Sequence, residues 1–307
     1  MEVIVGGSLA GERIDRAVAL VAEVSRSAAI ALIESGDVTV DGSARVKSHR
    51  LAPGQVLRIW LRAREEAFAP NDLPNIRYSD DDLLVVEKPA NLVVHAARPQ
   101  DRRPTLIGSV LLAHPEIAEV GEDPLRPGIV HRLDRGTSGL MLVARSQRGF
   151  EALKLQLARH AVERKYLALV RGVPASGSGV VDAPLGRDLR DPRKVAVVWG
   201  GKRAVTRFSL AVGTPDYSLL EVQLETGRTH QIRVHLASIG LPLVGDELYG
   251  VASAVLERPF LHSRFIAFLH PFTGRRIEIS SPLPRDLLLA LEHHGISPAQ
   301  GIADGGG

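Results

Sequence analysis

The stretch His131-Arg132-Leu133-Asp134-Arg135-Gly136-Thr137-Ser138-Gly139-Leu140 sets one carboxylate among three cationic or potentially cationic side chains, in a turn punctuated by two glycines. Before it, Gly128-Ile129-Val130 reads as the end of a strand. After it, Leu140-Met141-Leu142-Val143-Ala144 is a short apolar run with the composition of a buried strand. Asp134 is therefore expected where two strands turn over. Arg132 and Arg135 carry forked donors suited to phosphate, and Gly136 and Gly139 permit close approaches that a side chain would block. An isolated Asp in an arginine-rich loop is more often a turn cap on a solvated surface, so the rest of the motif has to decide between that and an active-site loop.

The whole segment resembles the signature of the RluA-type pseudouridine synthases, in which the Asp of His-Arg-Leu-Asp-Arg-x-Thr-Ser-Gly is the catalytic nucleophile. The resemblance implies that role for Asp134. Gly136 departs from the pattern, because many relatives carry an acidic residue there, while the Asp, Arg, Thr, Ser and second Gly are kept.

Composition bounds the remaining possibilities. With 307 residues, 45% of them hydrophobic, the chain can build two domains or one large one around a proper core. No run approaches a membrane span, and Met1-Glu2-Val3-Ile4 lacks the basic-then-apolar order of a signal peptide, so a soluble cytoplasmic protein without a membrane partner is expected. The absence of cysteine excludes disulfides, thiolate nucleophiles and cysteine-ligated metal sites. Any nucleophile must be oxygen or nitrogen. The net charge of +3 is modest, but charge is unevenly spread: Arg187, Arg190, Arg193, Lys194, Lys202, Arg203 and Arg207 face only Asp188 and Asp191 in one short stretch. A segregated basic stretch suits a polyanionic partner.

Residues 1–62 read as one unit, 63–75 as a linker rich in charge and proline, 76–298 as a second domain, and 299–307 as a disordered tail. In the first unit, residues 13–20 and 27–33 have helical apolar spacing and Asp37-Val38-Thr39-Val40-Asp41 lies as a hairpin-like strand between two glycines. That order resembles the small αL-type RNA-binding module, with Ser25-Arg26-Ser27 opening its second helix. The resemblance implies phosphate contacts from Arg13, Arg16, Arg26, Arg45, Lys47 and Arg50.

The second domain alternates strand patterns with helices without a repeated strand-helix unit, which predicts an α+β fold on a largely antiparallel, mixed sheet flanked by helices. Leu83 to Pro89 is a buried-strand candidate, Asn91 to His95 continues past a turn, and Asn91 tolerates a left-handed backbone where relatives commonly have glycine. Ser146 caps a predicted helix with Phe150, Leu153 and Leu157 on one face.

Two further motifs complete the site. Tyr166, in Glu163-Arg164-Lys165-Tyr166, taken alone is a half-buried packing residue, but it matches the family's Lys-x-Tyr motif, which implies that it stacks on the target base and assists proton removal. Thr226-Gly227-Arg228-Thr229-His230-Gln231-Ile232-Arg233 reads as a polar turn opening a helix whose stripe is Ile232, Leu236 and Ile239. It resembles the family segment whose last arginine pairs with the catalytic aspartate, which assigns that place to Arg233; a cation beside a carboxylate favours its ionised, attacking form. Arg187, Lys194, Lys202 and Arg228 complete the expected RNA contacts beside Arg132 and Arg135.

His230 and His235 are five residues apart and lack an acidic partner for a metal, and no phosphate-binding P-loop or dinucleotide fingerprint is present. The expectation is a monomeric RNA pseudouridine synthase needing no cofactor and no metal. Its expected target is large-subunit ribosomal RNA or a pre-ribosomal particle, with transfer RNA as the alternative target. A noncatalytic RNA-binding assembly factor and an aspartate-dependent hydrolase are the rival classes.

Overall fold

The computed structural model describes residues 1–60 except 23, 25 and 35, and residues 73–297 except 99 and 102. Most of the expected linker, the whole of the expected tail and Ser25 lie outside the described residues. The chain divides into two compact units, Met1–Ala63 with Ser253–Glu257, and Arg64–Ala252 with Arg258–Gly307.

The smaller unit contains β1 (Glu2–Ile4), α1 (Ile14–Val21), α2 (Arg26–Glu34), β2 (Val38–Val40), β3 (Ser43–Ala44) and β4 (Val56–Ile59). Its strands form an antiparallel sheet in the order β1-β4-β2-β3. Helical periodicity brings Ile14, Ala17 and Val18 of α1 to one face, where they share a core with Ile33, Val38, Val40, Leu57 and Ile59. Asp41 and Gly42 both take positive φ, the conformation a two-residue hairpin turn between β2 and β3 requires. The carboxylate of Asp15 is buried between Arg13 and Arg26, each at 3.0 Å, and ties the start of α1 to α2.

In the larger unit follow β5 (Asn75–Ser79), β6 (Leu83–Lys88), α3 (Leu106–Ala113), a 3-10 turn at Pro115–Glu119, β7 (Ser138–Ala144), α4 (Gln147–Ala158), β8 (Glu163–Arg171) and β9 (Ser178–Asp182). The chain continues through β10 (Leu185–Arg187), β11 (Val195–Val197), β12 (Val205–Gly213), β13 (Tyr217–Leu224), α5 (Gln231–Ser238), β14 (Leu261–Leu269), β15 (Arg276–Ser280) and α6 (Arg285–His293). Nine strands make one sheet in the order β5-β6-β7-β14-β8-β13-β12-β9, with β15 paired to β14, while β10 and β11 form a separate hairpin. Every pair in the large sheet is antiparallel except β7 with β14. This is the expected mixed α+β class with a mostly antiparallel sheet. β7 is buried at every position, which accounts for its unbroken apolar run.

Three local expectations are corrected. Gly128-Ile129-Val130 is not a strand end: Gly128 takes a positive φ, and only a single bridge joins Ile129 to Val143. Asn91 to His95 is likewise not a strand. Asn91 does adopt the left-handed conformation, turning the chain so that only Val93 bridges, to Thr105. Ile239 lies just past the end of α5 and is exposed, and Val234 is buried with Ile232 and Leu236 instead. Ser146 caps α4 as expected, its hydroxyl accepting from the Gly149 amide at 3.1 Å. Among the described residues no helix is long and apolar enough to cross a membrane.

Candidate active site

Asp134 stands in the loop just before β7, and that loop is clamped from both sides. Lys88, fully buried at the end of β6, donates to the carbonyls of Pro89, Leu92 and Arg135 at 2.8, 2.9 and 3.1 Å. Arg258 grips Asp286 of α6 with two nitrogens at 2.6 and 2.8 Å and also donates to Gly136 O at 3.3 Å and Ser138 Oγ at 3.1 Å. A buried lysine satisfied by backbone carbonyls and a buried ion pair fix a loop in place, because releasing either would strand a charge in the interior. Gly136, the departure from the family pattern, sits where a Cβ would press on Pro259 Cδ at 2.9 Å. Local packing here admits only a glycine without adjustment.

The turn before α5 brings the second half of the site. Gln231 locks it: the side-chain oxygen accepts from Thr226 Oγ1 and from the Arg228 amide, and the side-chain nitrogen donates to Val205 O and Thr206 Oγ1. Arg233, one turn into α5, then reaches Asp134 Oδ2 with Nη1 at 3.5 Å. Its principal partner is Asp246, held by two nitrogens at 2.7 and 2.8 Å. Burial opposes the charge on Arg233, but the hydrogen bonds and charge of Asp246, together with those of Asp134, outweigh it and raise its pKa. Burial likewise opposes ionisation of Asp246, and Arg233 together with the amides of Leu248 and Tyr249 reverses that and keeps it an anion.

His230 completes this corner. Its Nε2 lies 4.0 Å from Asp134 Oδ2, and Nδ1 lies 2.8 Å from the Tyr249 hydroxyl, which accepts from the Val195 amide at 2.7 Å. A hydroxyl that accepts from Val195 is free to donate to His230 Nδ1, which leaves the proton of a neutral ring on Nε2, facing Asp134. Burial lowers the pKa of His230, in keeping with that neutral form. His235 is engaged elsewhere, with Nδ1 at 2.9 Å from Thr206 Oγ1 and Nε2 at 3.0 Å from Ala183 O.

Tyr166 is buried in β8, and burial pushes its phenol above the ordinary value. Opposite it, the β14–β8 register shifts between Ser263 and Phe265, a bulge beside the pocket. A cavity of about 630 Å³ opens here, lined by residues that include Asp134, Tyr166, Arg132, Arg164, Arg203 and Arg228. Its volume lies in the range of small-molecule sites. The carboxylates of Asp134 and Glu225, the aromatic ring of Tyr166 and several cations share a cavity of a size that admits a nucleotide.

The remaining residues expected at the site are dispersed. Arg135 is exposed, donating to Asn91 O at 3.2 Å. Arg187 and Lys202 are exposed on and beside the β10–β11 hairpin, and Lys194 lies 5.9 Å from the centre of the Tyr249 ring. In the smaller unit Arg16 and Arg45 are exposed, Lys47 pairs with Glu34 at 2.8 Å, and Arg13 and Arg26 are committed to Asp15. Sequence reading passed over Asp246, Tyr249 and Arg164. The motif Gly245-Asp246-Glu247-Leu248-Tyr249-Gly250, an acid in a glycine-bounded turn, was the signal available for the first two.

Known proteins resemble this chain over most of its length. A family model described as RNA pseudouridylate synthase matches residues 82–238. An uncharacterized RNA pseudouridine synthase of Mycobacterium bovis is 43% identical over 296 residues, covering 92% of this chain and 94% of its own. The ribosomal large subunit pseudouridine synthase D of Pseudomonas aeruginosa is 42% identical over 301 residues, covering 92% of each chain. The structure of human RNA pseudouridylate synthase domain containing 4 shares the fold, with a TM-score of 0.57 at 24% identity over 72% of this chain and 93% of that one. The chain therefore belongs to the RluA-type RNA pseudouridylate synthases, enzymes that isomerise uridine to pseudouridine within RNA.

Proposed function

We propose that this enzyme acts on large-subunit ribosomal RNA, with Asp134 as the nucleophile, Tyr166 as the surface on which the target base stacks, and Arg233 as the electrostatic partner of Asp134. The observation that carries the reading is the meeting of Asp134 and Arg233 at 3.5 Å, from segments 99 residues apart, beside a cavity that Tyr166 also lines. The relatives named for large-subunit ribosomal RNA support the target.

The reaction breaks the bond from N1 to the anomeric carbon, turns the base, and forms a bond from C5 to that carbon. The C5 proton leaves and N1 gains one, so atoms and oxidation state balance. Asp134 supplies the carboxylate that holds one fragment while the base turns. Tyr166 enters as a neutral phenol, because burial raises its pKa. It therefore offers an aromatic face and a hydroxyl rather than a standing phenolate. A uridine inside folded RNA has to leave its stack to reach the cavity. In this reading Arg132, Arg135, Arg228, Arg187, Lys194 and Lys202 hold the flanking backbone, and the smaller unit adds Arg16 and Arg45 as an αL-type RNA-binding module.

The test is incubation of purified protein with unmodified large-subunit ribosomal RNA, followed by carbodiimide primer-extension mapping, with Asp134→Asn in parallel. Stops with the native protein alone are expected, with RNA binding retained by the variant. Stops with Asp134→Asn as well would sink the nucleophile assignment. Modification of transfer RNA alone would move the target, and RNA binding without any modification would favour the assembly-factor role.

A further inference from the structure

Arg164 is a buried cation without a counter-charge. The residue is 5% exposed, its Nε has no hydrogen-bond partner, and no carboxylate among the described residues lies within ion-pair distance of it. The acids that share its cavity are engaged elsewhere: Asp134 with Arg233, Glu225 with Arg203 and Arg207. Arg164 and Tyr166 are two residues apart on β8 and both buried, so strand alternation turns both toward the same side, and both line the cavity. The guanidinium is located by its neighbour: a Cβ on Gly227 would stand 3.1 Å from Arg164 Nη1, which puts the charged head beneath the turn that carries Arg228.

A guanidinium that has lost most of its water and has no carboxylate beside it gains from an anion that enters its cavity. RNA brings one phosphate with every nucleotide. Arg132, Arg203 and Arg228 are exposed cations at the same cavity, suited to backbone that remains in solvent. Arg164 alone is buried.

We propose that Arg164 binds the phosphodiester adjoining the target uridine once that nucleotide has entered the cavity, and so sets how deeply the base and sugar sit against Tyr166 and Asp134. The inference rests on the reading of this cavity as the RNA site. Arg164 is in this account a positioning residue, whose forked donors match a phosphate in two prongs. It rewards an extruded nucleotide over a stacked one, because only the extruded nucleotide carries its phosphate to that depth.

The experiment uses an RNA fragment that the native enzyme modifies, prepared in three forms: unaltered, and with a neutral methylphosphonate in place of the phosphate on either side of the target uridine. Single-turnover rates and half-saturating concentrations are measured for the native protein, Arg164→Gln and Arg164→Lys. One of the two replacements is expected to cost the native protein about tenfold or more. The same replacement leaves Arg164→Gln, already slow on unaltered RNA, nearly unaffected, and Arg164→Lys keeps part of the sensitivity. A native protein indifferent to both replacements, or an Arg164→Gln variant as sensitive as the native one, overturns the proposal. Should Arg164→Gln not fold, the native protein and Arg164→Lys decide by the same comparison. Which RNA the native protein modifies in its unaltered form tests the ribosomal target separately, and the linkage series is then run on that RNA.

Discussion

Arg233 holds Asp246 with two nitrogens, at 2.7 and 2.8 Å, and Asp134 with a third, at 3.5 Å, so a buried carboxylate outside the Asp134 loop sets where the cation beside Asp134 can stand. Tyr249 adds to this by placing its ring 4.9 Å from the centre of the guanidinium. Replacing Asp246 by Asn keeps the shape but weakens the grip. Asp246→Asn is expected to lower the single-turnover rate about 10²-fold by letting Arg233 shift, with RNA affinity little changed. Asp246→Ala breaks a buried pair and is expected to destabilise the unit by about 3–5 kcal/mol. A full rate in Asp246→Asn would show that Arg233 needs no such anchor.

Gly139 is where the Asp134 loop becomes β7, and it lies directly beside Ser263 of the parallel neighbour β14. Its φ is +109°, and a Cβ would overlap the backbone carbonyl of Ser263. Neither strain nor overlap can be relieved by a rotating side chain, since the obstacle is backbone. Gly139→Ala is expected to cost about 4 kcal/mol or more, read from urea denaturation of the full chain. An unchanged midpoint would mean that the parallel pairing is looser than this register implies.

The loop also depends on a neutral histidine. Ser138 Oγ accepts from Arg258, so its proton is free for His262 Nδ1 at 2.9 Å, and the proton of the ring then sits on Nε2, 3.4 Å from Ser281 O. Burial pushes the His262 pKa from 6.5 down to about 4. Between these values the unfolded chain binds a proton that the folded one refuses, so stability rises with pH. The contribution is complete above pH 6.5 and is lost as the pH falls toward 4. The denaturant midpoint is expected to drop across that window, and His262→Gln to flatten that part of the profile. A variant profile parallel to that of the native protein would assign the drop to other groups. His131, its pKa pushed down to about 3 by burial and by Arg164, is the first of these to examine.

How far the site could be read beforehand depends on how far each contact reaches along the chain. The loop around Asp134 was legible as a candidate site because its pattern is local: an Asp, two arginines and two glycines lie within ten residues. β7 and the cap at Ser146 were legible for the same reason. Gly128-Ile129-Val130 misled because a glycine at positive φ breaks a strand that its apolar neighbours suggest. The glycine-bounded turn could mark Asp246 but not its partner, since its importance lies in a side-chain contact with Arg233 across a turn, to which no periodicity points. Arg164 looked like one basic residue among several. Only the sheet shows that it alternates into the interior while Lys165 beside it remains near the surface, pairing with Glu163 and Glu221 at 3.3 and 3.5 Å.

Trp199 is fully exposed just after β11, in the stretch that holds Arg187, Arg190, Lys194 and Lys202. An indole in water among cations has no packing role to perform, and it suits a base that stacks while the cations hold its phosphates. Trp199→Ala is expected to weaken RNA binding by about 1–3 kcal/mol without moving the denaturation midpoint, because nothing in the fold rests on the ring. Lys202→Ala is expected instead to reduce the salt dependence of binding by about one unit of slope. The chain has only one other tryptophan, Trp60, so fluorescence of a Trp60→Phe variant reports Trp199 alone. Quenching of that signal as RNA is added, at the concentration where binding occurs, places a base against the indole. Fluorescence that stays constant through saturation would remove the segment just after β11 from the RNA interface.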